Sequence, residues 1–324
     1  MTFVAKLSER YAYGSLWNGL SVSVAPDQVA ALESIPLLPP FMSTTGGSLT
    51  TWIVTVTVGL FESDVPSLTL KPTVRSVASI LGLCATVVPV LSVLHGWNVA
   101  LASVVAVAIG VCAGAVNGVL VVYAGVNTIV VTLGMMTLLS GIALAIAHLS
   151  AVSGLSSSFG QLALAGVGGL PVSFYYGIAL ALIFAYVLAF TPLGRHMQFV
   201  GANREVSRLA GVRVNRIRFG AFVAAGTLCG IGGVVISAGL GGFDPSTSVT
   251  YLLPTVSAVF LGTAAVRTGR FNPLGTLIGV YFLATGILGL EELGLAGWIS
   301  DVFYGAALIV AVLLTTLLRR RASA

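Results

Sequence analysis

Apolar residues fill this chain in long blocks separated by short polar intervals. The blocks fall at 48–61, 76–94, 98–122, 127–148, 171–190, 219–240, 252–265, 273–290 and 298–318. A helix that crosses the hydrocarbon of a bilayer needs about 20 apolar residues. The pattern therefore predicts an all-α, polytopic helical membrane protein with eight or nine transmembrane helices, the blocks at 48–61 and 252–265 being short for the task. An outer-membrane barrel would show short segments of alternating hydrophobicity, and these are absent from the pattern. Residues 1–47 are mixed and Pro-bearing (ESIPLLPPF) and read as a tail or arm. Residues 48–321 read as the membrane domain.

Composition sharpens this picture. The chain of 324 residues is 57% hydrophobic and 8% charged, against about a quarter charged for a soluble domain. No Asp, Glu, Lys or Arg occurs from Ser76 to Gly194. A water-soluble fold cannot carry so long an uncharged run, so the solvent for most of the chain is lipid. The net charge of +5 then reflects basic residues gathered in cytoplasmic loops rather than a nucleic-acid surface. Cys84, Cys112 and Cys229 all lie inside apolar blocks, spaced for neither a metal site nor a disulfide framework. No secretory leader is expected from MTFVAKLSERYAYGSLWNGLSVSV.

Charge also orients the spans. Segment 191–218 holds Arg195, Arg204, Arg208, Arg213, Arg216 and Arg218, and the chain ends near Arg319, Arg320 and Arg321. Both should face the cytoplasm, with four spans between them, and so should VRTGRFN, which holds Arg267 and Arg270. The loops assigned outside carry Asp244, or Glu291 and Glu292, and no Lys or Arg. In the N-terminal half Lys6 and Arg10 compete with Lys71 and Arg75. Nine spans would place the N-terminus outside.

Small residues mark helix contacts. Gly110, Gly114 and Gly118 recur at every fourth position, and Gly226 with Gly230 and Gly275 with Gly279 repeat the spacing. Such stripes let helix backbones approach closely in lipid, where apolar burial gives no advantage.

The chemistry that is missing excludes several functions. A phosphate-binding GxxxxGK[ST] loop needs a lysine, and neither Lys6 nor Lys71 follows such a loop. Ion-coupled carriers usually hold an acid or base within the membrane. The nearest groups here are Asp301, His95 and His148, all at block ends. Nor do three histidines supply a hydrolase constellation. Neither an enzyme, nor a metal site, nor a cofactor is expected. The apolar blocks instead carry Asn117, Asn127, Thr128, Thr132, Thr137 and Ser140. These neutral groups need partners in hydrocarbon, so they either join helices or line a path suited to an uncharged, hydroxyl-rich solute.

The basic segment is patterned as well as charged. Asn203 suits a helix N-cap, Glu205 lies in the first turn and Gly211 suits the end. Val206, Leu209 and Ala210 share one face, Arg204 and Arg208 another, and Glu205 can reach Arg208. Anionic lipid under the loop would explain the arginines but not the caps.

Here the sequence resembles a family. GANREVSRLAGVRVNRI (201–217) looks like the cytoplasmic signature of ribose-type ABC importer permeases. So do GAVNGVLVVYAGVNTIVVTLGMMTLLSGIALAIA (114–147), TPLGRHMQFVGAN and VFLGTAAVRTGRFNPLGTLIGV (259–280). The resemblance covers about 76–318. It implies a subunit of the bacterial plasma (inner) membrane that assembles with a second permease subunit, two cytoplasmic ABC ATPase subunits and an extracytoplasmic solute-binding protein. A monosaccharide such as ribose would be moved by alternating access. Gly201, Asn203, Arg204, Glu205, Arg208 and Gly211 would dock the ATPase as a coupling helix, and Asn117, Asn127, Thr128 and Thr132 would line the path. Such permeases usually carry an early G-G-I-D-L-S-V-G segment followed by another span. Here PVLSVLHGWNVALASV (89–104) passes directly from one span to the next, and Ser140 stands where the family often has Arg. One lost span accounts for the missing block and for the odd count. A secondary carrier for a neutral solute, a branched-chain amino acid permease and a degenerate, non-transporting permease stay open as alternatives.

Overall fold

The structure, a computed structural model, describes residues 70–167, 170–265, 272–295 and 297–322. The expected tail (1–47), the block at 48–61 and the loop around Arg267 and Arg270 lie outside the described residues. Among the described residues, eight segments are long and apolar enough to cross a membrane. The helices are α1 (Leu70–Pro89), α2 (Val99–Gly118), α3 (Thr128–Ile146), the short α4 (Ser157–Leu164), α5 (Val172–Phe190), α6 (Pro192–Ala202), α7 (Arg204–Leu209), α8 (Val214–Leu240), α9 (Leu252–Ala265), α10 (Pro273–Glu292) and α11 (Trp298–Ala322). A 3-10 stretch, Pro245–Tyr251, leads into α9 and brings that short apolar block to spanning length.

The spans pack in two groups. In the first, α1 is enclosed by α2, α3 and α8, and its Leu81, Cys84, Val88 and Ala85 are almost wholly buried. A span surrounded by other spans must bury its hydroxyls without stranding them. Thr86 does so by donating to the Gly82 carbonyl of its own helix at 2.7 Å. The second group joins α5, α9, α10 and α11 around Ala181, Ala258, Val280 and Leu283. α9 belongs to both, since Val256 and Val259 pack into the first core. Polar bonds fasten α9 to α11, where Ser257 donates to the Tyr304 carbonyl at 2.9 Å and the hydroxyls of Thr263 and Thr315 meet at 3.2 Å.

Glycine sets the closest approaches. A Cβ on Gly110 would stand 2.5 Å from the Gly226 carbonyl oxygen, and one on Gly114 would stand 2.5 Å from the Phe222 carbonyl oxygen. Two turns further along the same face of α8, Gly233 lies on the backbone of α1 at Ala85. In the second group Gly262 of α9 meets Gly275 and Thr276 of α10, and Gly279 meets Ala258. Spans with so few side-chain atoms between them gain dispersion contact along their whole backbones.

One connector is used twice. Residues 90–98 (VLSVLHGWN) and 119–127 (VLVVYAGVN) share the pattern V-L-x-V-x-x-G-x-N. Each is a π-helical turn, then a glycine at φ +67 (Gly96) or +69 (Gly125), then an asparagine that caps the next helix. The backbone bonds match too, Trp97 N to Leu91 O at 3.0 Å and Val126 N to Leu120 O at 3.1 Å. These two elbows bound α2. The first passes directly from one span to the next, as the sequence indicated.

The two ends of the bundle differ. One carries the ends of α1 and α3, residues 147–167, and the turn after α8. There Val152–Ser153 (β1) pairs antiparallel with Gly242–Phe243 (β4), and Gly166–Val167 (β2) pairs with Leu170–Pro171 (β3). The other end carries α6, α7 and the start of α8. Half-exposed aromatic rings stand at both levels, Trp97, Tyr175, Tyr176 and Trp298 at the first, Tyr123, Tyr186 and Phe190 at the second. Such rings mark the two water–lipid boundaries of a spanning bundle.

Candidate functional site

The basic end is built by two consecutive short helices. Thr191 ends α5 and caps α6, its hydroxyl accepting the Gly194 N–H at 3.3 Å, with Pro192 at the first helical position where no N–H is needed. Gly194 fixes where α6 lies. A Cβ there would stand 2.5 Å from the Leu188 Cα, so only glycine lets α6 fold back onto the last turn of α5. Gln198 reaches the Leu188 carbonyl from the same side.

α7 then begins at Asn203, whose backbone is extended and whose side-chain oxygen accepts from Glu205 N at 3.1 Å and Val206 N at 3.2 Å. Ser207, the buried residue of this helix, donates to the Asn203 carbonyl at 2.8 Å. The helix ends at Gly211, which sits at φ +81. Gly211 N donates to Arg208 O at 3.1 Å and Val212 N to Ser207 O at 3.0 Å, the paired bonds of a Schellman stop. Glu205 faces the positive end of the helix and Arg208 the negative end. Thus Asn203, Arg204, Glu205, Arg208 and Gly211 come together on one capped turn-and-a-half, with Gly201 in the last turn of α6 just before it.

The rest of α7 faces outward. Val206 is 59% exposed and Leu209 is 87% exposed, framed by the exposed side chains of Arg204, Glu205 and Arg208. Val206 and Leu209 thus give a helix held at both ends a small exposed apolar surface. The basic loop is shorter than the sequence indicated. α8 starts at Val214, so Arg216 and Arg218 belong to its first turns. Their long stems allow the helix to begin before the hydrocarbon does while the guanidinium groups stay in the polar layer.

The four expected path residues are placed differently from one another. Asn127 is exposed and caps α3, accepting from Ile129 N at 2.9 Å. Thr128 is the first residue of that helix. Thr132 is buried, but its hydroxyl donates back to Thr128 O at 2.8 Å. Asn117 stands apart on α2, 1% exposed, and its Oδ1 has no hydrogen-bond partner among the described residues. Ser140, Ser173 and Thr276 likewise bury side-chain oxygens without a partner. The last two give no signal in the sequence, since one hydroxyl in an apolar run looks the same whether or not its own helix satisfies it. Every buried polar side chain among the described residues is Ser, Thr or Asn, and none is charged. Among those residues no three His, Cys, Asp or Glu side chains are grouped to hold a metal ion.

Comparison with known proteins decides the family. The pattern of the branched-chain amino acid transport system / permease component family matches residues 76–312. The chain belongs to that permease family. Within it, the autoinducer 2 import system permease protein LsrD of Salmonella typhi is 29% identical over 252 residues, covering 73% of each chain. Its counterpart LsrC of Salmonella paratyphi B is 30% identical over 234 residues, covering 72% of this chain and 67% of that one. Among solved structures, PsaBC from Streptococcus pneumoniae in complex with Fab aligns with a TM-score of 0.47 at 14% identity, over 88% of this chain and 94% of that one. The family consists of transport permeases, and the matched region takes in both span groups, the two elbows and the α6–α7 insert.

Proposed function

We propose that this chain is the membrane subunit of a bacterial ABC importer for a small neutral solute of the monosaccharide class, such as ribose or the autoinducer 2 for which its relatives are named. The α6–α7 end and the C-terminus face the cytoplasm of the plasma membrane. Two ATPase subunits grip the coupling helix α7 of this chain and of a second permease subunit, and an external binding protein delivers the solute to the opposite end. ATP-driven closure of the ATPase pair moves α7 and rocks the two span groups about a central path.

One observation carries the reading: a doubly capped helix that exposes Leu209 between paired charges, in a family of permeases. Neutrality of the buried polar groups supports a sugar over a zwitterion, which would need partners for two charges. The test is co-purification. Glu205→Ala with Arg208→Ala should abolish capture of the ATPase subunit while membrane insertion is unchanged. Capture at the wild-type level would overturn the docking role. Uptake of labelled ribose should also exceed uptake of labelled leucine in cells producing the assembled importer.

A further inference from the structure

The basic insert contains two helices, and the geometry assigns them different partners. We propose that α6 is an interfacial helix that binds anionic phospholipid headgroups, leaving α7 alone for the ATPase. The lipid assignment of α6 rests on the membrane-spanning fold alone, and that of α7 on the importer reading above.

Depth is the first argument. Gly194 seats α6 against the backbone of Val187 and Leu188, and Gln198 reaches the Leu188 carbonyl, so α6 lies beside the last turn of a spanning helix. That turn also carries Tyr186 and Phe190, 62% and 73% exposed with ring centroids 5.4 Å apart, an outward aromatic pair of the kind that sits at headgroup level.

The second argument is which face is free. Val200 and Gly194 turn inward. Arg195, His196 and Phe199 are exposed and share the opposite face, Phe199 following Arg195 by four residues and His196 by three. Phe199 is 66% exposed. An aromatic ring beside a guanidinium at this depth suits a surface that is apolar below and anionic above. From Ser76 through Arg204 there is no carboxylate, so nothing on α6 repels a phosphodiester. On α7, by contrast, Glu205 opposes Arg208, the mixed pattern of a protein partner.

The test uses the full chain in nanodiscs without ATPase, its four tryptophans (Trp17, Trp52, Trp97 and Trp298) replaced by Phe. Phe199→Trp should be quenched when brominated phosphatidylcholine replaces the ordinary lipid, and Leu209→Trp should not. Any other combination overturns the assignment. Independently, native mass spectrometry of the otherwise unmodified chain with equimolar phosphatidylglycerol and phosphatidylcholine should show preferential retention of the former. Arg195→Gln should lower that preference about fivefold, the usual weight of one basic residue near an anionic surface, whereas Arg208→Gln should leave it unchanged. Equal loss from both variants, or none from either, would overturn the proposal.

Discussion

Gly110 and Gly226 face each other so closely that a side chain on either would enter the other's backbone. A methyl group at Gly110 would stand 2.5 Å from the Gly226 carbonyl oxygen and 3.0 Å from the Gly230 Cα. Since both partners are backbone, neither can swing aside. The α2–α8 seam is thus a pair of glycine rails, and two turns further along the same face of α8 Gly233 meets the backbone of α1.

Gly110→Ala is therefore expected to separate α2 from α8 and cost about 1–3 kcal/mol, as overpacking does in a dense core. Gly134→Ala is the control. It lies in mid-helix with nothing within 4 Å of its added methyl, so it should be neutral or stabilise by about 0.5–1 kcal/mol through helix propensity. Thermal unfolding of the detergent-solubilised variants compares the two. Equal melting temperatures would mean that the seam is slack.

The caps of α7 are expected to matter for association rather than for the fold. Asn203→Ala removes the acceptor for two amide hydrogens, at a cost of about 1 kcal/mol. Gly211→Ala forces a Cβ into the left-handed region, at about 1–2 kcal/mol. On a helix this short either cost is enough to unwind it. Hydrogen exchange at the Glu205 and Val206 amides should accelerate, and ATPase capture should fall, with the melting temperature of the bundle unchanged.

Orientation is checked with single added cysteines. Leu209 is 87% exposed on α7 and Leu293 is 79% exposed beyond α10, at opposite ends of the bundle. Cys84 and Cys229 are buried, and Cys112, though exposed, lies in the middle of α2 and thus within hydrocarbon. In intact cells a membrane-impermeant maleimide should label Leu293→Cys, and it should reach Leu209→Cys only after permeabilisation. The reverse order would remove α7 from the reach of a cytoplasmic ATPase.

The spans are legible in the sequence because lipid excludes charge from a crossing helix, and runs such as 127–148 hold no Asp, Glu, Lys or Arg. The glycine stripe is legible because a period of four sets its members on one helix face, where bare backbone serves close packing. Three features are not legible in this way. α6 is hidden inside what reads as one loop, although Thr191–Pro192 spells a cap followed by a proline start. The segment 147–171 gives no pattern because α4 and the short strands are too brief to generate a period. Asn127 stands out as a polar group in an apolar run, and the structure gives it the same capping bond that Asn98 makes one elbow earlier, 2.9 Å in each case. The repeat V-L-x-V-x-x-G-x-N is the signal in the sequence for both.

Asn117 is the proposed path residue whose test is sharpest. It is buried on α2, one residue from Gly118, with an Oδ1 that no group among the described residues satisfies. An unpaired buried acceptor costs about 1–3 kcal/mol, and a fold tolerates that most readily where something else, a solute or water in a path, makes the bond. Asn117→Leu keeps the branched skeleton and removes the acceptor. The melting temperature should hold or rise, and solute uptake should fall on the order of tenfold, the worth of one hydrogen bond of ~1.4 kcal/mol. Asn127→Leu, which breaks only a cap, should do the opposite, lowering stability with the solute KM unchanged. If Asn117→Leu both unfolds more easily and transports normally, the acceptor serves helix packing and the path runs elsewhere.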